Sequence, residues 1–294
     1  MIGLGPLGLG TAPLGGLYEA VDDETAEAVV ERAWELGVRF FDTAPLYGSG
    51  LAERRLGAVL QGKPQDSFVV STKVGRLLRP GKSDWPGAPP LEAHFDFSYD
   101  GALRSLEASL ERLGLDRVDV ALVHDPDDHY EAALTGAFRA LERLRDEGAV
   151  RAIGVGMNQA EMLCRFAREA DPNCFLVAGR YTVLDRTAAA ELLPLCEERG
   201  IAVIAGGVFN SGILAGGGTF DYQSAGPDVV ARVEHLRSVC GRFDVPLAAA
   251  AVQFPRRHPA VSSVLIGCRS TAELEEDVRL LELELPAELW ERLG

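Results

Sequence analysis

The sequence predicts one α/β unit over residues 1–294, a (β/α)8 barrel of the TIM type. Short apolar runs alternate with amphipathic stretches along the whole chain, the mark of parallel strands joined by right-handed helical crossovers. Most of these runs lack the period-2 alternation of a half-exposed strand, as expected where both faces are buried. The strand–helix units number eight, and no composition break or long linker divides the 294 residues. A doubly wound open sheet is the alternative arrangement.

In chain order the expected strands are Leu7–Gly10, Arg39–Asp42, Phe68–Lys73, Val118–His124, Ala152–Gly156, Phe175–Ala178, Ala202–Ala205 and Val264–Gly267. Asp23 reads as the N-cap of the first helix. Its apolar stripe is Ala26, Val29, Val30, Ala33 and Trp34, and Gly37 ends it. Leu103, Leu106, Leu110 and Leu113 form the next stripe, closed by Gly114. Ala137–Glu147 ends at Gly148, Ala188–Arg199 ends at Gly200, and Thr271–Leu281 follows Ser270. Two connections are long, 76–98 after Lys73 and 206–228 after Ala205. Both leave the C-terminal ends of strands, the rim where such barrels build sites. The N-terminus has no hairpin to cover the barrel floor, so another element must do so.

Hydrophobic residues make up 47% and charged residues 25% of the chain, the balance of a globular protein. The net charge of −15 disfavours nucleic acid or an anionic membrane surface as partner. No apolar run reaches the length of a membrane span, and the N-terminus lacks the basic segment of a signal peptide. The five cysteines include no C-x-x-C pair and read as reduced thiols, which points to the cytoplasm. Histidine and cysteine spacings give no metal site. Oligomeric state is not legible. Gly3-Leu-Gly5-Pro-Leu-Gly8 matches G-x-G-x-x-G, but no strand precedes it, Pro6 interrupts it and no helix opens after it. It reads as the entry to the first strand.

Chemistry concentrates at three strand ends. Asp42 closes the second strand and Tyr47 follows in Thr43-Ala-Pro-Leu-Tyr-Gly48; Lys73 closes the third strand; His124 closes the fourth. Only three of the 29 cations are lysines, so a lysine inside an apolar strand asks for a local reason. Each residue alone has an ordinary explanation as a cap, a surface cation or a core histidine. Their joint arrival at one rim does not. A free phenol has a pKa near 10, too high for ready proton exchange at neutral pH. An adjacent ammonium would lower it by about 1–3 units. Asp42 would hold Lys73, His124 would orient a substrate oxygen, and Tyr47 would exchange the proton.

Phe41-Asp-Thr-Ala-Pro-Leu-Tyr-Gly48, Ser71-Thr-Lys73 and Val123-His124 resemble the Asp–Tyr–Lys–His tetrad of the aldo-keto reductase superfamily. Gly8–Gly16, Ser71–Arg76, His124-Asp-Pro126 and Thr135–Phe138 are similar to its aldose dehydrogenase branch, which includes D-threo-aldose, L-galactose and pyridoxal 4-dehydrogenases. The resemblance implies oxidation of a sugar hemiacetal at C1 to a lactone with NAD or NADP, and a substrate that is a small sugar or aldehyde. Pyridoxal oxidation or general aldehyde reduction is the alternative within enzymes; a nicotinamide-binding redox sensor is the alternative outside them.

The same resemblance implies a cofactor lying across the rim without a separate dinucleotide domain. Thr11, Asp42, Asn158, Gly206, Asn210, Ser211 and Gly212 are the expected contacts on its nicotinamide and pyrophosphate side. The family's ring-stacking Tyr is replaced by Gly206, leaving Phe209 or Tyr181 to cover the ring, and the family's Gln aligns with Ala178. Arg269, Ser270, Glu273 and Asp277 correspond to the adenosine-phosphate segment. Where NADP-dependent relatives carry an Arg, this chain has Glu273, which would repel a 2′-phosphate and accept from a ribose hydroxyl; NAD is therefore the expected cofactor. Ser270-x-x-Glu273 is equally a capping box. Trp85, in the loop after Lys73, is expected against the substrate with Tyr47 and His124.

Overall fold

The computed structural model describes residues 3–294. Strands β1 (Leu7–Gly10), β2 (Phe40–Asp42) and β3 (Val69–Val74) come first, and a hairpin of β4 (Arg76–Pro80) and β5 (Leu91–Phe95) leaves the rim after β3. Then follow β6 (Val120–His124), β7 (Ala152–Met157), β8 (Cys174–Ala178) and β9 (Ala202–Gly206), a minimal hairpin of β10 (Thr219–Phe220) and β11 (Gln223–Ser224), and β12 (Val261–Ile266). The barrel closes in the order β1-β12-β9-β8-β7-β6-β3-β2, which excludes an open sheet. Its neighbouring strands are parallel throughout.

The surrounding helices are α1 (Asp23–Glu35), α2 (Leu51–Leu60), α3 (Tyr99–Leu113), α4 (Tyr130–Ala132), α5 (Phe138–Asp146), α6 (Ala160–Glu169), α7 (Leu192–Arg199), α8 (Pro227–Gly241), α9 (Leu247–Gln253), α10 (Thr271–Glu282) and α11 (Ala287–Leu293). The N-cap of α1 is Asp22, not Asp23: the Asp22 carboxylate accepts the Thr25 N–H at 2.7 Å. The helix expected from Ala188 begins at Leu192, because Pro194 is tolerated only in a first turn. The last strand starts at Val261 rather than Val264, with a register irregularity between Val261 and Ser263. The connection 76–98 is not irregular; it folds back as β4 and β5.

Two cores result. Outward-facing strand residues such as Val70, Val123, Val155 and Val203 pack under the helices. Inward-facing Phe40, Val69, Val120, Leu122, Leu176 and Leu265 fill the barrel. Leu4 joins this inner cluster at 4% exposure and so supplies the floor that no hairpin provides. The turn at Gly5 (φ 73°) brings it there, ahead of β1.

The inward register carries polar groups towards the rim. On β2, Phe40 is followed two residues later by Asp42; on β3, Val69 and Ser71 lead to Lys73; on β6, Val120 and Leu122 lead to His124. Side chains alternate at period 2, so each polar residue continues an apolar inward row. On the neighbouring strand, a Cβ at Gly156 would sit 3.5 Å from the Lys73 Cε. The lysine stem therefore packs over this position at ordinary van der Waals distance.

Candidate active site

Lys73 is 1% exposed and its Nζ makes three hydrogen bonds. It donates to the Asp42 Oδ2 at 2.7 Å, the Thr43 carbonyl at 2.9 Å and the Tyr47 hydroxyl at 3.0 Å. Ser71 donates to the other Asp42 oxygen at 2.6 Å, so the buried carboxylate is paired on both sides. Thr11 anchors the backbone here: its N–H and its hydroxyl both donate to the Asp42 carbonyl. Tyr47 reaches Lys73 through a tight turn after β2. Gly15 packs so closely on this turn that a Cβ would lie 2.7 Å from the Tyr47 carbonyl carbon. The His124 ring stands edge-on to Tyr47 at 5.9 Å between centroids, and the Trp85 ring lies at 6.0 Å.

Burial opposes a charged Lys73, but the Asp42 carboxylate and the Tyr47 hydroxyl outweigh it and keep the ammonium above its ordinary range. Burial, then the Lys73 and Arg76 cations, hold His124 well below the usual histidine range, so it is neutral at neutral pH. The His124 Nδ1 is buried without a partner. Tyr47 differs from the sequence expectation. Burial pushes the phenol up, Lys73 offsets this only in part, and Asp42 adds to the rise. The ammonium is where it was expected, but in the protein alone desolvation is the larger effect.

From Tyr47 a cleft of about 730 Å³ runs over the rim to Asp277, within the range of cofactor sites. Asn158, Gly206, Phe209, Asn210, Ser211, Gly212, Arg269 and Glu273 are among the residues that line it. Several expected contacts lie elsewhere or act differently: Thr11 is fully buried beneath Asp42 and is not part of the cleft wall. Tyr181 packs on Phe254 and His258 and is not part of the cleft wall. The Asn210 side chain turns away, donating to the Gly179 carbonyl and accepting from Thr182. The N–H groups of Asn210 and Gly212 are bonded within the loop, to Gly207 and Phe209. Ser270 is the N-cap of α10, accepting the Glu273 N–H, while the Glu273 carboxylate reaches back past the cap to accept the Arg269 N–H, so the expected box forms only in its first half.

Sequence reasoning passed over Asp125, Arg76 and Ser71. The first follows His124 directly and the other two flank Lys73, so their signal was adjacency to the motif rather than any pattern of their own. It also passed over Tyr222, which sits on the cleft wall from the turn between β10 and β11. A carboxylate, a buried ammonium, a phenol and a neutral imidazole meeting at one barrel rim provide the groups needed to move a proton.

The signature of the Aldo/keto reductase family matches residues 6–294. The chain belongs to this family. It is 44% identical to a D-threo-aldose 1-dehydrogenase of Pseudomonas sp over 304 aligned positions, covering 98% of this chain and 92% of that one. It is 45% identical to a pyridoxal 4-dehydrogenase of Microbacterium luteolum, with the same shares covered. A holo-form aldo-keto reductase from Bacillus halodurans superposes with a TM-score of 0.79 at 25% identity, over 98% of this chain and 90% of that one. An aldo-keto reductase is an oxidoreductase, and membership implies a nicotinamide cofactor. The cleft suits such a group: it runs from Tyr47 to Asp277 and has Gly206, Gly207 and Gly267 on its wall. No helix among the described residues is long and apolar enough to cross a membrane.

Proposed function

We propose that this aldo-keto reductase oxidises an aldose of the L-fucose, D-arabinose or L-galactose type at C1 to the lactone, using NAD, with Tyr47 as the acid–base residue. The hydrogen bond from the Lys73 Nζ to the Tyr47 hydroxyl, with Asp42 behind the ammonium, carries the reading. The similarity to an aldose 1-dehydrogenase supports the substrate class.

A bound nicotinamide supplies the two-electron acceptor. Neutral His124 orients the sugar's C1 oxygen beside Tyr47. The Tyr47 oxygen accepts the C1 hydroxyl proton as that carbon loses its hydrogen with two electrons. Lys73, charged throughout, stabilises the phenolate that must exist before this transfer. In reduction the same phenol returns its proton. Trp85 offers an aromatic face over the substrate position, suited to the apolar face of a sugar or to a pyridine ring. Pyridoxal is therefore the second substrate reading, and the pyridoxal 4-dehydrogenase relative favours it specifically.

The preference for NAD rests on charge. Arg269 is the one cation on the cleft wall among the described residues, and it is already paired with Glu19 at 3.1 Å and Glu273 at 3.2 Å. Glu276 and Asp277 lie beside it, and burial pushes the Asp277 carboxyl up to about 6. A 2′-phosphate finds no free cation there.

Initial rates followed by nicotinamide absorbance test this with L-fucose, D-arabinose, L-galactose and pyridoxal, each with NAD and NADP. Turnover of at least one sugar is expected, with NAD favoured several-fold in kcat/KM. Tyr47→Phe is expected to lose about 10²–10⁴-fold in rate. Cofactor binding without turnover of any substrate would point instead to a sensor, and equal rates with both cofactors would remove the NAD assignment.

A further inference from the structure

Asp125 is the first residue after β6 and stands in the left-handed region, with φ 41°. Its N–H donates to the Gly156 carbonyl at 3.0 Å, which holds this turn against the barrel. Strained backbone of this kind persists where the surroundings over-determine it, and it gathers at functional sites. The turn aims the carboxylate at the catalytic group. Asp125 Oδ2 lies 3.3 Å from the His124 Nε2 and accepts from the Arg76 Nη2 at 2.9 Å. No hydrogen bond among the described residues uses Asp125 Oδ1, and a third of the side chain is open, at 33% exposure. The charge is felt by the Tyr47 and Tyr222 hydroxyls, both on the cleft wall.

Arg76 stands behind this carboxylate. Its guanidinium lies on the Phe95 ring, 4.7 Å from the centroid, and its Nε is buried without a partner. Here a substrate-facing imidazole, a carboxylate with a free oxygen and a fixing cation share one corner, beside Trp85 and the β4–β5 hairpin. An apolar aldehyde would use only the imidazole. A vicinal diol presents two oxygens about one hydrogen-bond length apart, and one of them can donate. With the His124 Nε2 and the Asp125 Oδ2 3.3 Å apart, the imidazole and the carboxylate stand close enough for each to meet one oxygen of such a pair.

We infer that Asp125, held by Arg76, is the recognition residue for the hydroxyl on the carbon next to the reacting one, so that the site selects 2-hydroxylated substrates. The inference rests on the proposed aldose reaction and names which hydroxyl that site reads. His124 takes the reacting oxygen, Asp125 accepts from the neighbouring hydroxyl, and Arg76 holds the carboxylate in place by its hydrogen bond. A substrate lacking that hydroxyl leaves a partly buried carboxylate oxygen without its donor.

The test compares D-arabinose with 2-deoxy-D-ribose, the pentose that lacks only this hydroxyl, in the parent, Asp125→Asn and Arg76→Met. Asparagine tolerates positive φ, so the backbone turn survives the first substitution. The parent is expected to favour D-arabinose by about 10–100-fold in kcat/KM, the worth of one hydrogen bond to a charged group. Asp125→Asn is expected to close most of that gap by raising the KM for D-arabinose far more than the KM for the deoxy sugar. Arg76→Met should narrow the gap in the same sense. An unchanged ratio overturns the inference. So does an equal fall in kcat for both sugars, which would mean that Asp125 acts only through His124. Calorimetric titration of both sugars into parent and Asp125→Asn, each loaded with NAD, reads recognition without turnover. If the parent oxidises neither sugar, the aldose reading fails; the inference then stands only if D-arabinose binds the parent more tightly than the variant, and equal or absent binding overturns it.

Discussion

At Lys73 all three ammonium hydrogens are committed, to Asp42, Thr43 and Tyr47, inside a barrel closed to water. Replacing Lys73 by Met leaves the Asp42 carboxylate buried without its counter-charge, a loss of about 3–5 kcal/mol where one partner of a buried pair is removed. Urea unfolding is expected to show that loss, and the double variant with Asp42→Asn is expected to recover part of it. Activity should not recover, because the phenol then has burial without an opposing cation. The pH profile follows from the same balance. Tyr47 is raised above its ordinary value, so the proton acceptor required for oxidation is the minor form at neutral pH. The rate of oxidation therefore climbs with pH into the alkaline range, whereas reduction, which needs the protonated phenol, stays flat through neutrality. His124 is held neutral, so neither profile should bend near the ordinary histidine value of about 6.5. A bend there in initial-rate profiles would show an ionising His124.

Among the elements, α2 and α3 decide how firmly β3 is held. Glu53 of α2 is fully buried, accepting from Thr72 on β3 at 2.8 Å and from Arg112 on α3 at 2.6 Å. The same two helices meet at Gly57, where a Cβ would sit only 2.0 Å from the Leu113 carbonyl oxygen. Two effects compete in Gly57→Ala. Helix propensity improves by about 1 kcal/mol, and overpacking against rigid backbone costs about 1–3 kcal/mol. The contact is with backbone rather than a movable side chain, so the second effect wins. A lower Tm is expected with kcat little changed, since the substitution lies outside the rim; a higher Tm would show that the helices separate freely.

For the molecule as a whole, the net charge of −15 and an acidic cleft oppose an anionic dinucleotide. Raising ionic strength from about 0.01 M to 0.15 M shortens the screening length from about 30 Å to 8 Å. The KM for NAD is expected to fall over that range. A KM that rises with salt would reveal a cationic path to the cleft that the charge distribution does not contain.

Alternating strand and helix patterns, eight in number, point to a barrel, and the pairing of β1 with both β12 and β2 decides it against the open sheet that the same pattern allows. Asp42, Tyr47, Lys73 and His124 were legible because strand ends of a barrel share one rim, so polar residues there converge whatever their separation along the chain. The contacts of the cleft were not. Tyr181 and the Asn210 side chain turn inward because neighbouring loops offer them partners, which no local pattern records. The upward shift of Tyr47 belongs to this second group, since desolvation depends on everything packed around a group and not on its nearest charge. So does Asp125, whose meaning comes from a backbone turn and from an arginine forty-nine positions away in sequence. Periodicity is a local property and survives in the sequence; side-chain direction and burial are collective, and only the closed barrel decides them.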